Sequence, residues 1–239
     1  GWHLECSAMS TKYLGETFDI HGGGADLIFP HHENEIAQSE AFTGKPFVRF
    51  WVHNGFITVD KEKMSKSLGN FFTVKEILDK YDPEVVRYFL LSTHYRSPIE
   101  FSDAQLNEAI VSLDRYYSTV VRIDDFMETG HSPEDTASPS VNVNEFVTFL
   151  SSTKGKFEDA MNDDFNTALA LGHIFELVRS VNRFLDSKSS GQNSVEAVSK
   201  TKINLVEPGG VLNIFRKTPQ EWYSALMKMK NIGLSEKDI

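Results

Sequence analysis

The pattern of apolar and polar positions divides the chain in two near residue 100. In the first part, short apolar runs alternate with glycine turns and helical stretches, the grammar of an α/β fold. Phe18-Asp19-Ile20 reads as the end of a strand and His21-Gly22-Gly23-Gly24 as a tight loop beyond it. Pro30 then opens a helix running to about Phe42, with Ile36, Ala37 and Ala41 as its buried stripe. Phe47 to Val52 reads as another strand, and Phe56 to Val59 leads into a lysine-rich loop. Helices are predicted over Val74 to Lys80 and Pro83 to Leu91, the second apolar on nearly every side and therefore buried.

After about residue 102 the spacing is purely helical. Leu106, Ile110, Leu113, Tyr117, Val120 and Met127 form the seam of one long helix. Phe146, Leu150, Phe157 and Met161 mark a second, interrupted in composition by Gly155, and Ile174, Leu177, Val181 and Phe184 mark a third. Thr218-Pro219-Gln220-Glu221 is a capping box with Pro at the first helical position, and it announces a fourth helix carrying Trp222, Leu226 and Met229 on one face. Residues 128–142, with Pro133 and Pro139, and 186–202, rich in Ser, read as loops. The expectation is an α/β domain over 1–100 and an α-helical bundle over 101–239, with no internal repeat.

Composition narrows the function. The net charge of −10 excludes binding nucleic acid through a general basic surface, so any RNA contact must come from local patches or from segments outside this chain. No run approaches the ~20 apolar residues needed to cross a bilayer. A single cysteine, Cys6, permits no intrachain disulfide and makes a reducing, cytoplasmic setting the default. The chain opens on Gly1-Trp2-His3, without initiator Met or signal-peptide pattern, which is the expectation for an internal fragment.

Two stretches carry candidate chemistry. Asp60 to Asn70, DKEKMSKSLGN, packs Lys61, Lys63, Lys66, Ser65, Ser67 and Gly69 into a loop of an otherwise acidic chain. Ammonium and hydroxyl groups at that density suit a polyphosphate, and mobile lysines suit charge that develops during reaction. Composition alone equally describes a solvated charged turn. The second is the spacing of His31 and Glu35, four apart on one helix face and within reach of one ion, to which Cys6 adds a thiolate. His32, Glu33 and His53 compete as ligands, and spacing does not rank them.

The order of residues is more specific than their composition. Lys63-Met64-Ser65-Lys66-Ser67 is letter for letter the KMSKS signature of class I aminoacyl-tRNA synthetases. Gly1 to Met9 (GWHLECSAM), Phe18 to Leu27 (FDIHGGGADL) and Phe29 to Glu35 (FPHHENE) resemble the catalytic domain of the cysteinyl-tRNA synthetase family. The match runs on through Arg87 to Ser92 and His94 to Pro98, and more loosely through Asp163 to Leu169. It is dense over roughly the first half of the chain and patchy beyond.

This resemblance implies the second half of a Rossmann-like class I catalytic domain followed by a helical domain that contacts tRNA. It implies that Cys6, His31 and Glu35 are three of four zinc ligands, the metal binding the thiol of substrate cysteine. A soft, readily ionised thiolate outbids a serine hydroxyl for zinc, and a bond open to one substrate alone discriminates without editing. It further implies Trp2 and His21 beside the cysteine, and Gly23, Gly24 and Asp26 beside the adenylate. Lys66, supported by Lys63, would neutralise charge as the cysteine carboxylate attacks the α-phosphate of ATP, supplied with Mg²⁺. The expected partners are cysteine, tRNA(Cys) and an N-terminal half of the catalytic domain, in an enzyme monomeric when intact. The HIGH motif that KMSKS pairs with is absent, His53-Asn54-Gly55 being the nearest approach, and so is the fourth ligand. Inactivity of this chain alone is therefore expected. Two rivals are a related ligase that joins cysteine to an amino sugar in mycothiol synthesis, and a non-catalytic RNA- or protein-binding fragment.

Overall fold

A computed structural model describes residues 1–59, 62–63, 72–129, 142–187 and 192–231. The chain forms two compact units, Gly1–Asn70 with Tyr95–Glu100, and Phe71–His94 with Phe101–Ile239. The second unit thus takes in residues 71–94, which the sequence pattern leaves with the first hundred.

The first unit begins with helix α1 (Trp2–Leu14), among whose residues Ser7 is buried. Strands β1 (Phe18–Gly24) and β2 (Val48–Asn54) pair in parallel, Ile20 opposite Phe50, His21 opposite Trp51 and Gly23 opposite His53. The triple glycine therefore belongs to a strand rather than to the expected tight loop. Its lack of side chains permits close approach from the neighbouring turn, which hydrophobic patterning does not register.

Between the strands, a 3-10 turn (Ala25–Leu27) and a wide turn (Ile28–His32), in which Phe29 is extended and the Phe29–Pro30 bond is cis, lead into α2 (Glu33–Thr43). The helix starts three residues after Pro30. Its buried positions are Glu35 and Ser39, not the expected stripe of Ile36, Ala37 and Ala41. The inward face of α2 is therefore polar. Strands β3 (Ile57–Val59), β4 (Glu62–Lys63) and β5 (Ile99–Glu100) form a small sheet in the order β4-β3-β5. Gly55 is required where β3 enters it, since a Cβ there would lie 2.4 Å from the carbonyl oxygen of Ser97.

The second unit is helical throughout its described length. α3 (Val74–Lys80) and α4 (Pro83–Leu91) have the predicted bounds, set by a capping box at Thr73 with Glu76 and by the Asp82 carboxylate ahead of Pro83. α4 is one-sided rather than buried all round: Leu90 is 42% exposed, while Glu84 is buried. The long α5 (Asp103–Thr129) buries Leu106, Ile110, Leu113, Tyr117 and Val120 as expected, but Phe126 rather than Met127. α6 (Val143–Asn162) passes through Gly155 unbroken and buries Phe146, which stacks on Phe184 of α7 (Thr167–Leu185) at 4.3 Å.

α8 (Gln192–Leu212) corrects the expected loop at 186–202, which is helical from Gln192. Its buried positions, Ser194, Ala197, Val198, Thr201, Leu205 and Leu212, keep a helical period through small and polar residues. α9 (Pro219–Asn231) starts at the predicted capping box, and its Trp222 is fully buried, stacked on Tyr117 and donating to Asp114 at 3.1 Å. The other expected loop, 128–142, begins inside α5, and 130–141 lie outside the described residues. Within the described residues no helix is long and apolar enough to cross a membrane.

Candidate metal and substrate site

Three elements of the first unit deliver the candidate ligands. Cys6 comes from α1, His31 from the turn before α2, and Glu35 from the first turn of α2, four residues on. One donor atom from each lies within 4.8 Å of the other two. Ser7 ties α1 to α2 by donating to the carbonyl of Glu35 at 3.5 Å.

Glu35 is fully buried, and its carboxylate reaches two imidazoles: Oε1 is 2.6 Å from His31 Nε2, and Oε2 is 3.2 Å from His21 Nε2. Neither oxygen makes a well-aligned hydrogen bond, although the Cys6 thiol lies near enough to act on the carboxylate. Burial raises the Glu35 pKa, and it raises that of the Cys6 thiol with help from the Glu35 and Glu5 carboxylates. Burial lowers His21, with nearby His31 and His53 adding to the effect. It lowers His32 to about 4, again with its histidine neighbours contributing. A buried carboxylate without aligned donors is costly by itself. A divalent cation removes that cost, and thiolate, imidazole and carboxylate are all zinc donors. The residues present therefore fit a zinc ion.

Around them lies a shell of rings. Trp2, 60% exposed, places its ring 4.2 Å from that of His31. His21 meets His32 edge-on at 5.0 Å and Trp51 at 4.7 Å. His32 shares a 2.8 Å hydrogen bond, Nδ1 to Nε2, with His53. The sequence left His32, Glu33 and His53 as competing ligands. The structure separates them: Glu33 is exposed, His53 partners His32, and His32 joins His21 and Glu35 in a second group of mutually close donors. Strand register, which no local spacing carries, brings these groups together: it sets His21 and Gly23 of β1 opposite Trp51 and His53 of β2.

The other expected residues lie nearby or beyond description. A Cβ on Gly24 would lie 2.5 Å from Asp26 Oδ1, so the exposed Asp26 folds back over that glycine. Lys63 pairs through its backbone with Thr58. Lys66, with 64–71, lies outside the described residues. In the helical unit a groove of about 780 Å³ is rimmed by exposed Lys80, Arg216 and Lys228 beside Asp79, Asp82 and Glu221.

Residues 1–111 match the family model of the tRNA synthetase class I (C) catalytic domain, and residues 156–216 match the DALR domain. Two solved structures of low identity share the fold. One is the LeuRS-tRNA-LeuAMS ternary complex of Agrobacterium radiobacter K84, with TM-score 0.63, 18% identity, and 87% of this chain and 27% of that one covered. The other is a putative arginyl-tRNA synthetase of Campylobacter jejuni, with TM-score 0.59, 16% identity, and 90% and 50% covered. Fold and domains are those of a class I aminoacyl-tRNA synthetase. Within that class the chain is similar to cysteine-tRNA ligases. It is 55% identical over its whole length to the enzyme of that name from Thermodesulfovibrio yellowstonii, covering 48% of it, and 54% identical to that of Geotalea uraniireducens, covering 49%. The chain thus spans about half the length of the curated relatives it matches.

Proposed function

We propose that this chain is the thiol-selecting half of an adenylation site, part of an enzyme that activates cysteine with ATP and Mg²⁺ and transfers it to tRNA(Cys). The observation that carries the reading is the convergence of Cys6, His31 and Glu35 on one point around a buried carboxylate. These residues would hold zinc, which when bound supplies a soft Lewis-acid contact that a thiolate takes and a hydroxyl does not.

The chain's own groups do the rest. Trp2 covers one side of His31 and His21 lines the other side of Glu35, so both stand where a small amino acid would lie. The bare backbone of Gly23 and Gly24, and the carboxylate of Asp26, suit a nucleotide's sugar and adenylate linkage. Lys63 and Lys66 of the KMSKS sequence would offset charge on the departing pyrophosphate. The groove, whose rim interleaves Lys80, Arg216 and Lys228 with Asp79, Asp82 and Glu221, offers three exposed cations as point contacts to an RNA backbone.

The sheet supports a Rossmann-like domain completed by further polypeptide. Parallel sheets are ordinarily covered on both faces, yet Ile20 and Phe50, directly paired across β1 and β2, are 57% and 66% exposed. The test is cysteine-dependent ATP/pyrophosphate exchange. The purified chain alone should give none. Mixed with the complementary half of a relative such as the Thermodesulfovibrio yellowstonii enzyme, it should exchange with cysteine and not with serine, and Cys6→Ala or Glu35→Ala should abolish this. Exchange by the chain alone, or activation of serine at a comparable rate, would overturn the reading.

A further inference from the structure

Helix α1 turns a polar seam inward and an apolar seam outward. His3, Ser7 and Ser10, spaced four and three apart, are half-buried or buried, and Ser7 donates to the carbonyl of Glu35 in α2. Trp2, Cys6, Met9 and Tyr13, spaced four, three and four apart, share a second seam, on which Trp2, Met9 and Tyr13 are 60%, 53% and 74% exposed. A helix with no partner beyond its own unit packs the other way round. We propose that the Trp2-Met9-Tyr13 seam is a docking surface for the complementary half of the catalytic domain, in addition to the Ile20–Phe50 face of the sheet. The identity of the partner rests on the proposed function; the need for cover does not.

Three observations select this occupant. Large apolar side chains exposed in line along one helix form a patch, and a patch of that kind marks an interaction surface where scattered exposures do not. The charged residues of α1 are Glu5 and Lys12, one of each sign, and Lys12 Nζ lies 5.3 Å over the Tyr13 ring. A helix that lies on an anionic membrane carries a basic face instead, so the chemistry is that of a protein contact. The seam also begins at the candidate site, where the Trp2 ring lies 4.2 Å from that of His31. Relatives at 54–55% identity are about twice the length of the stretch they share with this chain. Their further polypeptide would meet Met9 and Tyr13 as it closes beside that site.

The experiment co-expresses the full chain with the complementary half of the Thermodesulfovibrio yellowstonii enzyme, purifies the pair through a tag on that half, and measures its dissociation by sedimentation. Peroxide oxidation of Met9 is followed by mass spectrometry in the chain alone and in the complex, against an added methionine peptide. Oxidation of Met9 should proceed in the chain alone and be lost in the complex. Met9→Asp and Tyr13→Asp should each weaken association by about 100-fold, since a charge would be buried without a partner. Both side chains are exposed, so the urea midpoint of the chain should stay where it is. Tyr13→Phe, which keeps the ring, should associate as the unmodified chain does.

Unchanged association of the folded Asp variants, or Met9 oxidised equally fast in the complex, overturns the docking surface and leaves the thiol-selecting reading standing if cysteine-dependent exchange persists. Protection of Met9 and weakened variants in a complex that gives no such exchange upholds the docking surface and sinks the proposed function. Failure of the unmodified chain to bind the half, including the case in which it self-associates through Tyr13, also overturns the docking surface.

Discussion

A methyl group added at Gly23 would lie 2.8 Å from Cε1 of His32, 3.1 Å from its Nε2 and 3.0 Å from Cδ1 of Leu27. Leu27 can rotate away; His32 is buried and tied to His53, so it cannot move cheaply. Gly23→Ala should therefore cost about 1–3 kcal/mol, the usual range for overpacking. The urea midpoint of the chain should fall, and His32 should be displaced from Glu35. An unchanged midpoint would mean that the β1 backbone yields instead. The same residues show where sequence reasoning stops. His31 and Glu35 were legible because a four-residue helical spacing is a local signal. Cys6, the single cysteine, could be named as a candidate thiolate, but only the resemblance joined it to His31 and Glu35, since its distance along the chain says nothing of its distance in space. The pairing of His32 with His53 depends on strand register, and no spacing between residues 32 and 53 contains it.

At the scale of elements, α4, α5 and the segment after α8 are joined at Glu84. Tyr117 donates to both its carboxylate oxygens at 2.9 and 3.0 Å, the Phe215 backbone N–H donates to Oε1, and Lys217 Nζ lies 3.2 Å away. Asn213 and Phe215 occupy the left-handed region, at φ 53° and 59°, which is unfavourable for a bulky side chain. The Glu84 bond and the stacking of Phe215 on Tyr116 at 3.9 Å hold the segment there. Glu84→Ala would strand the Tyr117 hydroxyl and the Phe215 N–H, and should destabilise the helical unit by about 3 kcal/mol or more. Burial raises the pKa of Tyr117 well above its usual value, with the Glu84 carboxylate contributing, so the unfolded state ionises first. Stability is then complete below pH 10 and declines as pH rises past it. Tyr117→Phe should remove about 1.4 kcal/mol in total of the decline between pH 9 and 11, read from urea midpoints across that range. The capped helices α3, α4 and α9 could be read from sequence because their start signals are local. α8 could not, because its buried stripe uses Ser194, Ala197 and Thr201, and its last turns contain Pro208-Gly209-Gly210, all of which speak for a loop.

At the scale of the molecule, the two-stranded parallel sheet leaves an apolar face uncovered. Two strands are marginal without cover on both faces, and Ile20 opposite Phe50 offers an apolar face still open to solvent. If the complementary half of a cysteine-tRNA ligase covers that face, Phe50→Asp places a charge where none can be paired. Desolvating it should cost on the order of 3–4 kcal/mol, weakening association of the halves by about two to three orders of magnitude. The chain's own stability should hardly change, because Phe50 is exposed in the chain by itself. Titrating the complementary half into each chain and following pyrophosphate exchange separates the effects: the variant should need a far higher concentration for half-maximal activity, then approach the same plateau. A lower plateau at unchanged affinity would place Phe50 in the chemistry. An unchanged titration would leave the Ile20–Phe50 face outside the interface, and the completing polypeptide would have to pair elsewhere.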